Sequence, residues 1–136
     1  MNTATVLPAA PANDWALLFL RVTGSLLLLL VHGAPKMLNF QAELGLIEDP
    51  LGLGPHLTLS LAIFAEVLCP LLIIAGPFAR LATLPVLVVL LVSLVFVHPE
   101  WSLGEGQFAW LLAIIFTTLL IAGPGRFSLG KRLPWQ

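Results

Sequence analysis

The sequence predicts an all-α integral membrane protein, a bundle of four transmembrane helices. Three observations lead there. The 136 residues are 59% hydrophobic and only 10% charged, where a soluble domain is nearer a quarter charged. Mean hydropathy is +1.02. The apolar residues also fall into four runs close to the roughly 17–25 residues a helix needs to cross a bilayer. The length limits the chain to a single membrane domain, residues 1–136.

The first run is Trp15 to Ala34, behind an N-cap candidate at Asn13-Asp14. The second covers Leu57 to Ala75, the third Arg80 to Val97, and the fourth, slightly short, Gln107 to Ala122. Pro70 and Pro85 lie inside the second and third runs, where proline is tolerated as a kink if neighbouring groups satisfy the freed carbonyl. Between the first two runs, residues 35–56 are neither long nor apolar enough to span. Phe40, Leu44 and Ile47 keep helical spacing between Glu43 and Glu48, which predicts a short interfacial helix lying on the membrane surface. Trp15, Trp101 and Trp110 suit an aromatic belt, and Gly24 and Ser25 suit a close helix contact.

Four spans place both termini on one side. That side carries Arg80, Arg126, Lys131 and Arg132, against Lys36 alone on the other. The excess of Lys and Arg predicts cytoplasmic termini and an inner-membrane location. No basic n-region precedes the first run, so it is expected to act as an uncleaved insertion signal. The run ends also echo one another. LLIIAGPFAR (71–80) matches LLIAGPGRFS (119–128), and LLLLVHGA (27–34) matches SLVFVHPE (93–100). The echo predicts two helical hairpins related by a parallel repeat.

Several function classes drop out. Net charge is −1, with no basic arm or zinc spacing to engage nucleic acid. The single cysteine, Cys69, excludes an intramolecular disulfide and a CxxC centre, and reads as an inert packing residue. Three histidines, His32, His56 and His98, gather near one membrane face, but their spacing fits no metal or haem signature, so no metal is expected.

The chemistry concentrates in a few polar residues. Glu66 interrupts the apolar stretch AIFAEVLCPLLII (62–74). It lies ten residues past His56, about 15 Å deep at 1.5 Å per residue. An acidic residue there costs about 2.5–3.5 kcal/mol, so it needs a partner inside the bundle. Arg21 is the expected partner. The pair reads either as a lock between two helices or as a proton-carrying, ligand-binding site. His32, Lys36, His98 and Gln107 collect at the outer ends of the runs. They are the candidate ligand-binding residues, because a quinone head group needs only a few hydrogen-bonding groups in an apolar cleft.

These features assemble into a recognisable set: RVTG (21–24), VHGAPKM (31–37), AEVLCPLLIIAGPFAR (65–80), VFVH (95–98) and GPGRFSLG (123–130). The set resembles the DoxX family of small four-helix membrane proteins, over nearly the whole chain from Arg21 to Gly130. Two positions depart from the family pattern. Gln107 stands where members often carry glutamate, and Gly130 where an aspartate commonly follows the final Ser-Leu. The resemblance implies association with quinol oxidase and thiosulfate:quinone oxidoreductase complexes, with thiol-redox assemblies, or, in wider branches, with chaperone and cargo-receptor roles. Three functions are therefore in view. The first is a small membrane subunit of a quinone-linked redox system, with no cofactor of its own beyond a bound quinone. The second is a non-catalytic scaffold or chaperone-like subunit binding another membrane protein. The third is a small transporter acting as a homo-oligomer.

Overall fold

The computed structural model describes residues 11–130, all helix and loop. Among the described residues, three helices are long and apolar enough to cross a membrane: α1 (Ala12–Leu38, 27 residues), α3 (Pro55–Ala75, 21 residues) and α4 (Ala79–Val97, 19 residues). A short helix α2 (Phe40–Leu44) follows α1. A fourth apolar helix, α5 (Gln107–Ala122), has 16 residues.

The four apolar helices pack as a bundle, α1 against α3 and α5, and α4 against α3 and α5. All four supply the core, with Leu28 from α1, Cys69 and Ile73 from α3, Val86 from α4, and Phe116 and Leu119 from α5. Large apolar side chains elsewhere point outward, Phe19, Leu30, Phe108 and Ile121 among them. A bundle apolar inside and out belongs in lipid, and the chain is a multi-pass membrane protein. Ile115 meets the bare face of Gly24, so this glycine does mark a close contact, between α1 and α5.

The sequence reading ends the first span at Ala34, but α1 continues to Leu38. Residues 35–38 therefore belong to the long helix, and the interfacial helix shrinks to the five residues of α2. The expected N-cap at Asp14 also fails. Helix begins before it, and Asp14 instead accepts a hydrogen bond from the Arg126 N–H at 3.0 Å. Lys131 and Arg132, which weigh in the orientation argument, lie outside the described residues.

Three of the long helices each widen into one π turn: Leu29–Gly33 in α1, Phe64–Leu68 in α3 and Ser93–Val97 at the end of α4. Each turn is followed, two residues on, by a proline: Pro35, Pro70 and Pro99. The coincidence has a steric cause. A proline ring collides with the carbonyl four residues back and offers no N–H to it. Widening to an i→i+5 pattern relieves the crowding. The residue before each proline makes the wide bond: Ala34 N–H to Leu29 O, Cys69 N–H to Phe64 O, and His98 N–H to Ser93 O. Pro85 sits inside α4 without such a turn.

Candidate functional site

The three π turns lie around one cavity of about 800 Å³ at the end of the bundle away from Asp14 and Arg126. His32 and Val31 reach it from the first turn, Glu66 from the second, and Ser93 and Val97 from the third, with His98 next in sequence. Much of the wall is apolar, including Leu28, Leu90 and Leu112. A polar group in such a space is exposed to little water and keeps most of its electrostatic strength.

At the cavity wall, Lys36 Nζ donates to Glu66 Oε2 at 2.5 Å. The Glu66 side chain is 7% exposed and that of Lys36 22%. Glu66 therefore has a counter-ion, but it is not Arg21. The correction follows from helix register. The space a Cβ on Gly33 would fill is taken by the Glu66 carbonyl oxygen, 2.2 Å from that position. This fixes Gly33 level with Glu66. Arg21 stands twelve residues earlier on α1, about 18 Å away along the axis, beyond the reach of its side chain. Counting Arg21 inward from Asp14 and Glu66 inward from His56, as though those two residues marked the opposite faces of one bilayer, placed the pair too close together.

Arg21 does something else. It is 1% exposed and donates through Nη2 to the Phe127 carbonyl. Its Nη1 faces Gly76, whose positive φ of 105° turns the chain out of α3. The GPGRFSLG segment is tied to the same end of the bundle at further points. Asp14 pairs with the Arg126 guanidinium at 3.5 Å, Leu129 N–H donates to Ala75 O at 3.0 Å, and Phe127 packs on Trp15 with ring centroids 4.6 Å apart. Arg21 is thus a clasp for the C-terminal segment. Replacing it by methionine is expected to free that segment, raising amide exchange at Phe127–Gly130 and exposing the chain after Gly125 to protease. The cavity should keep its shape. Unchanged protection at Phe127–Gly130 would rule the clasp out.

Of the predicted ligand residues, His32, Lys36 and His98 line the cavity and Gln107 does not; His56, the third histidine near that face, does not either. Gln107 is exposed at the first position of α5 and is not part of the wall, although Glu105 and Phe108 on either side of it are. His56 is exposed and packs beside Phe40, centroids 6.3 Å apart. Trp101 is more than an interfacial anchor. It stacks on His98 at 3.8 Å, nearly parallel, and forms part of the cavity wall. Glu43, Glu48, Thr58, Ser93 and Glu105 also line it and were missed. The signal for the π turns was present in the spacing of Pro35, Pro70 and Pro99 behind their polar neighbours. The loop carboxylates gave none, because only the fold returns residues 43–48 and 105 to one place. Among the described residues no group of His, Cys, Asp and Glu is arranged to hold a metal.

Two loop carboxylates shape the mouth. Asp49 accepts from Thr58 Oγ1 at 2.7 Å, Gly54 N–H at 2.7 Å and Leu53 N–H at 2.9 Å. The Thr58 hydroxyl first, then the backbone donors, hold its carboxyl below the ordinary aspartate value of 3.8. It ties the loop that leads into α3 to the first turn of that helix. Glu105 accepts from both the backbone N–H and the hydroxyl of Ser102, each at 2.8 Å, and is likewise held low. Because the folded pKa of Asp49 is depressed, its ordering effect is complete above the unfolded value near 3.8 and is lost as pH falls through the lower folded one. Amide exchange at Leu53 and Gly54 should therefore accelerate below about pH 4. Asp49→Asn should show the fast rate at every pH.

The fold and the cavity together define a helical membrane protein with a ligand-sized pocket between its helices at one end. The chain belongs to the DoxX family, whose model matches residues 16–99. The match takes in α1, α3 and α4 with all three π turns, and stops before α5 and GPGRFSLG. No curated protein and no solved structure matches the chain.

Proposed function

We propose that this chain is a small membrane subunit of a quinone-linked redox system, and that the cavity receives the quinone head group. The observation that supports this reading is the meeting of His32, Lys36, Glu66 and His98 around one largely apolar space within the bundle. Imidazole and ammonium groups donate hydrogen bonds to a ring carbonyl, and Glu66, held by Lys36, is a carboxylate placed to take or release a proton. Apolar walls with a few convergent polar groups are what a neutral ring-shaped ligand requires. A bound quinone would supply the electron-carrying chemistry. The chain's own part is to hold the ring and handle protons at Glu66 Oε2.

In this reading α5 is a fourth span and the two AGP-ended hairpins are parallel repeats. Both termini are cytoplasmic, the cavity faces the periplasmic side of the inner membrane, and electrons come from a partner oxidoreductase subunit. The test is a gentle native purification, with mass spectrometry of co-purifying proteins and quinones. An oxidoreductase partner or stoichiometric quinone is the expected result, and quinone should be lost in Glu66→Gln while the bundle persists. A partner without a redox centre, and no quinone, would overturn it. That outcome would favour the scaffold reading, which has one specific observation behind it: Arg21 is committed to holding the chain's own C-terminal segment and is absent from the cavity.

A further inference from the structure

A second feature adjoins the cavity. A groove of about 680 Å³ runs along the flank of the bundle between α3 and α4. It shares Leu61, Val88 and Val89 with the cavity wall, so at that level only these three apolar side chains stand between the two spaces. Beyond the junction their linings differ. The cavity carries carboxylates, imidazoles and an ammonium, whereas every residue along the groove is apolar.

The groove has a structural origin. Its lining includes four small residues, Ala65, Cys69, Ala82 and Pro85, between larger ones such as Phe64 and Leu81. On α3 the wide turn forced by Pro70 falls at this level, and on α4 Pro85 cannot donate to the carbonyl of Leu81. Small side chains beside two locally disturbed helices leave a furrow. From Leu61 to Leu72 it follows α3 for eleven residues, about 16 Å along the axis.

We propose that the groove holds the apolar tail of the ligand whose head occupies the cavity. The site would then select a ring-headed amphiphile with a single long tail over the same ring without one. This rests on the head-group reading above and adds a tail subsite to it. The shared wall at Leu61, Val88 and Val89 is the argument for this occupant. A head seated beside Glu66 can reach the groove there without its tail crossing a polar surface.

The test uses full-length protein in detergent, with Trp15, Trp110 and Trp135 replaced by phenylalanine so that Trp101 in the cavity wall reports head-group binding by quenching. Two probes carry the same ring: 2,3-dimethoxy-5-methyl-1,4-benzoquinone, without a tail, and its 6-decyl derivative. Ala82→Phe fills the groove, and Leu81→Phe narrows it from a position that lies outside the cavity wall and is already 53% exposed, where overpacking is not a concern. In either variant the decyl compound should bind about tenfold more weakly, the equivalent of losing the burial of a methylene or two. The tailless ring should bind each variant as it binds the parent. Comparing each variant with its parent at one detergent concentration cancels partitioning into micelles.

If both probes bind the folded variants as they bind the parent, the tail leaves by another route. The groove then holds only bulk lipid, and the head-group reading survives. If neither probe quenches Trp101 in the parent, the head-group reading fails and takes the tail subsite with it.

Discussion

Lys36→Met is expected to be among the most damaging substitutions in the protein, lowering stability by about 3–5 kcal/mol. The methionine fits the space, but Glu66 keeps its carboxylate with a side chain only 7% exposed and loses the ammonium 2.5 Å away. An uncompensated buried charge costs more than the pair contributes, because the solvation given up on burial is no longer offset. The two partners should not be equivalent. Lys36 is three times as exposed, on a long stem that can turn its ammonium toward water. Glu66→Gln, which removes the charge and retains hydrogen bonding, should therefore cost only about 1–2 kcal/mol. The double substitution Lys36→Met with Glu66→Leu should recover most of the loss. Thermal unfolding in detergent of the two singles and the double measures this directly. Equal losses from both singles, or a double variant worse than either, would mean that the pair is not the energetic unit described here.

Gly33→Ala is the second large effect. A Cβ at this position would lie 2.2 Å from the Glu66 carbonyl oxygen and 2.7 Å from its carbon. Both are backbone atoms in a π turn already shaped by Pro70, so neither can swing aside. The helices must separate, and the cost should reach or exceed the upper end of the roughly 1–3 kcal/mol typical of overpacking. Separation would also draw Lys36, three residues on, away from Glu66. Gly24→Ala is the matched control. Its Cβ would meet the Ile115 Cγ2 methyl at 2.8 Å, one side-chain atom at a longer distance. Isoleucine is stiff at χ1 in a helix, but a small shift of that side chain relieves the contact, so the expected loss is smaller. Unfolding midpoints of the two variants, measured side by side, should differ clearly. A harmless Gly33→Ala would contradict the close approach of the two π turns.

The two sites at opposite ends of the bundle show how differently sequence and structure report. Glu66 was legible as a residue with a task, because a carboxylate amid apolar neighbours needs a partner wherever the helix lies. The need for a partner was certain and its identity was not. Hydropathy puts Arg21 inside the first span and Lys36 just past its end, which favoured Arg21. The choice depends on the relative slide of two antiparallel helices. One glycine contact and four extra residues of α1 set that slide, and neither announces itself in a hydropathy pattern. Arg21 was legible as an anomaly in the same way. Its partner is a backbone carbonyl more than a hundred residues away, and backbone carbonyls have no sequence signature.

The amino-acid sequence by itself determined that this chain is helical and membrane-embedded. Hydrophobicity and length are summed along the chain, so the apolar runs predict helix ends to within a few residues, and for α5 at the very positions observed. It also named His32, Lys36, Glu66 and His98 as the polar residues of interest, since a polar group in an apolar run is conspicuous without knowing what it faces. Only the tertiary structure decided which of them share a cavity, that Gln107 and His56 stand apart from it, and that the loop carboxylates Glu43, Glu48 and Glu105 return to its wall. The physical reason is that ion pairing and cavity formation act over a few ångström between helices. Those distances are set by steric contacts, Gly33 on Glu66 and the prolines on their own helices, that emerge only when the helices pack.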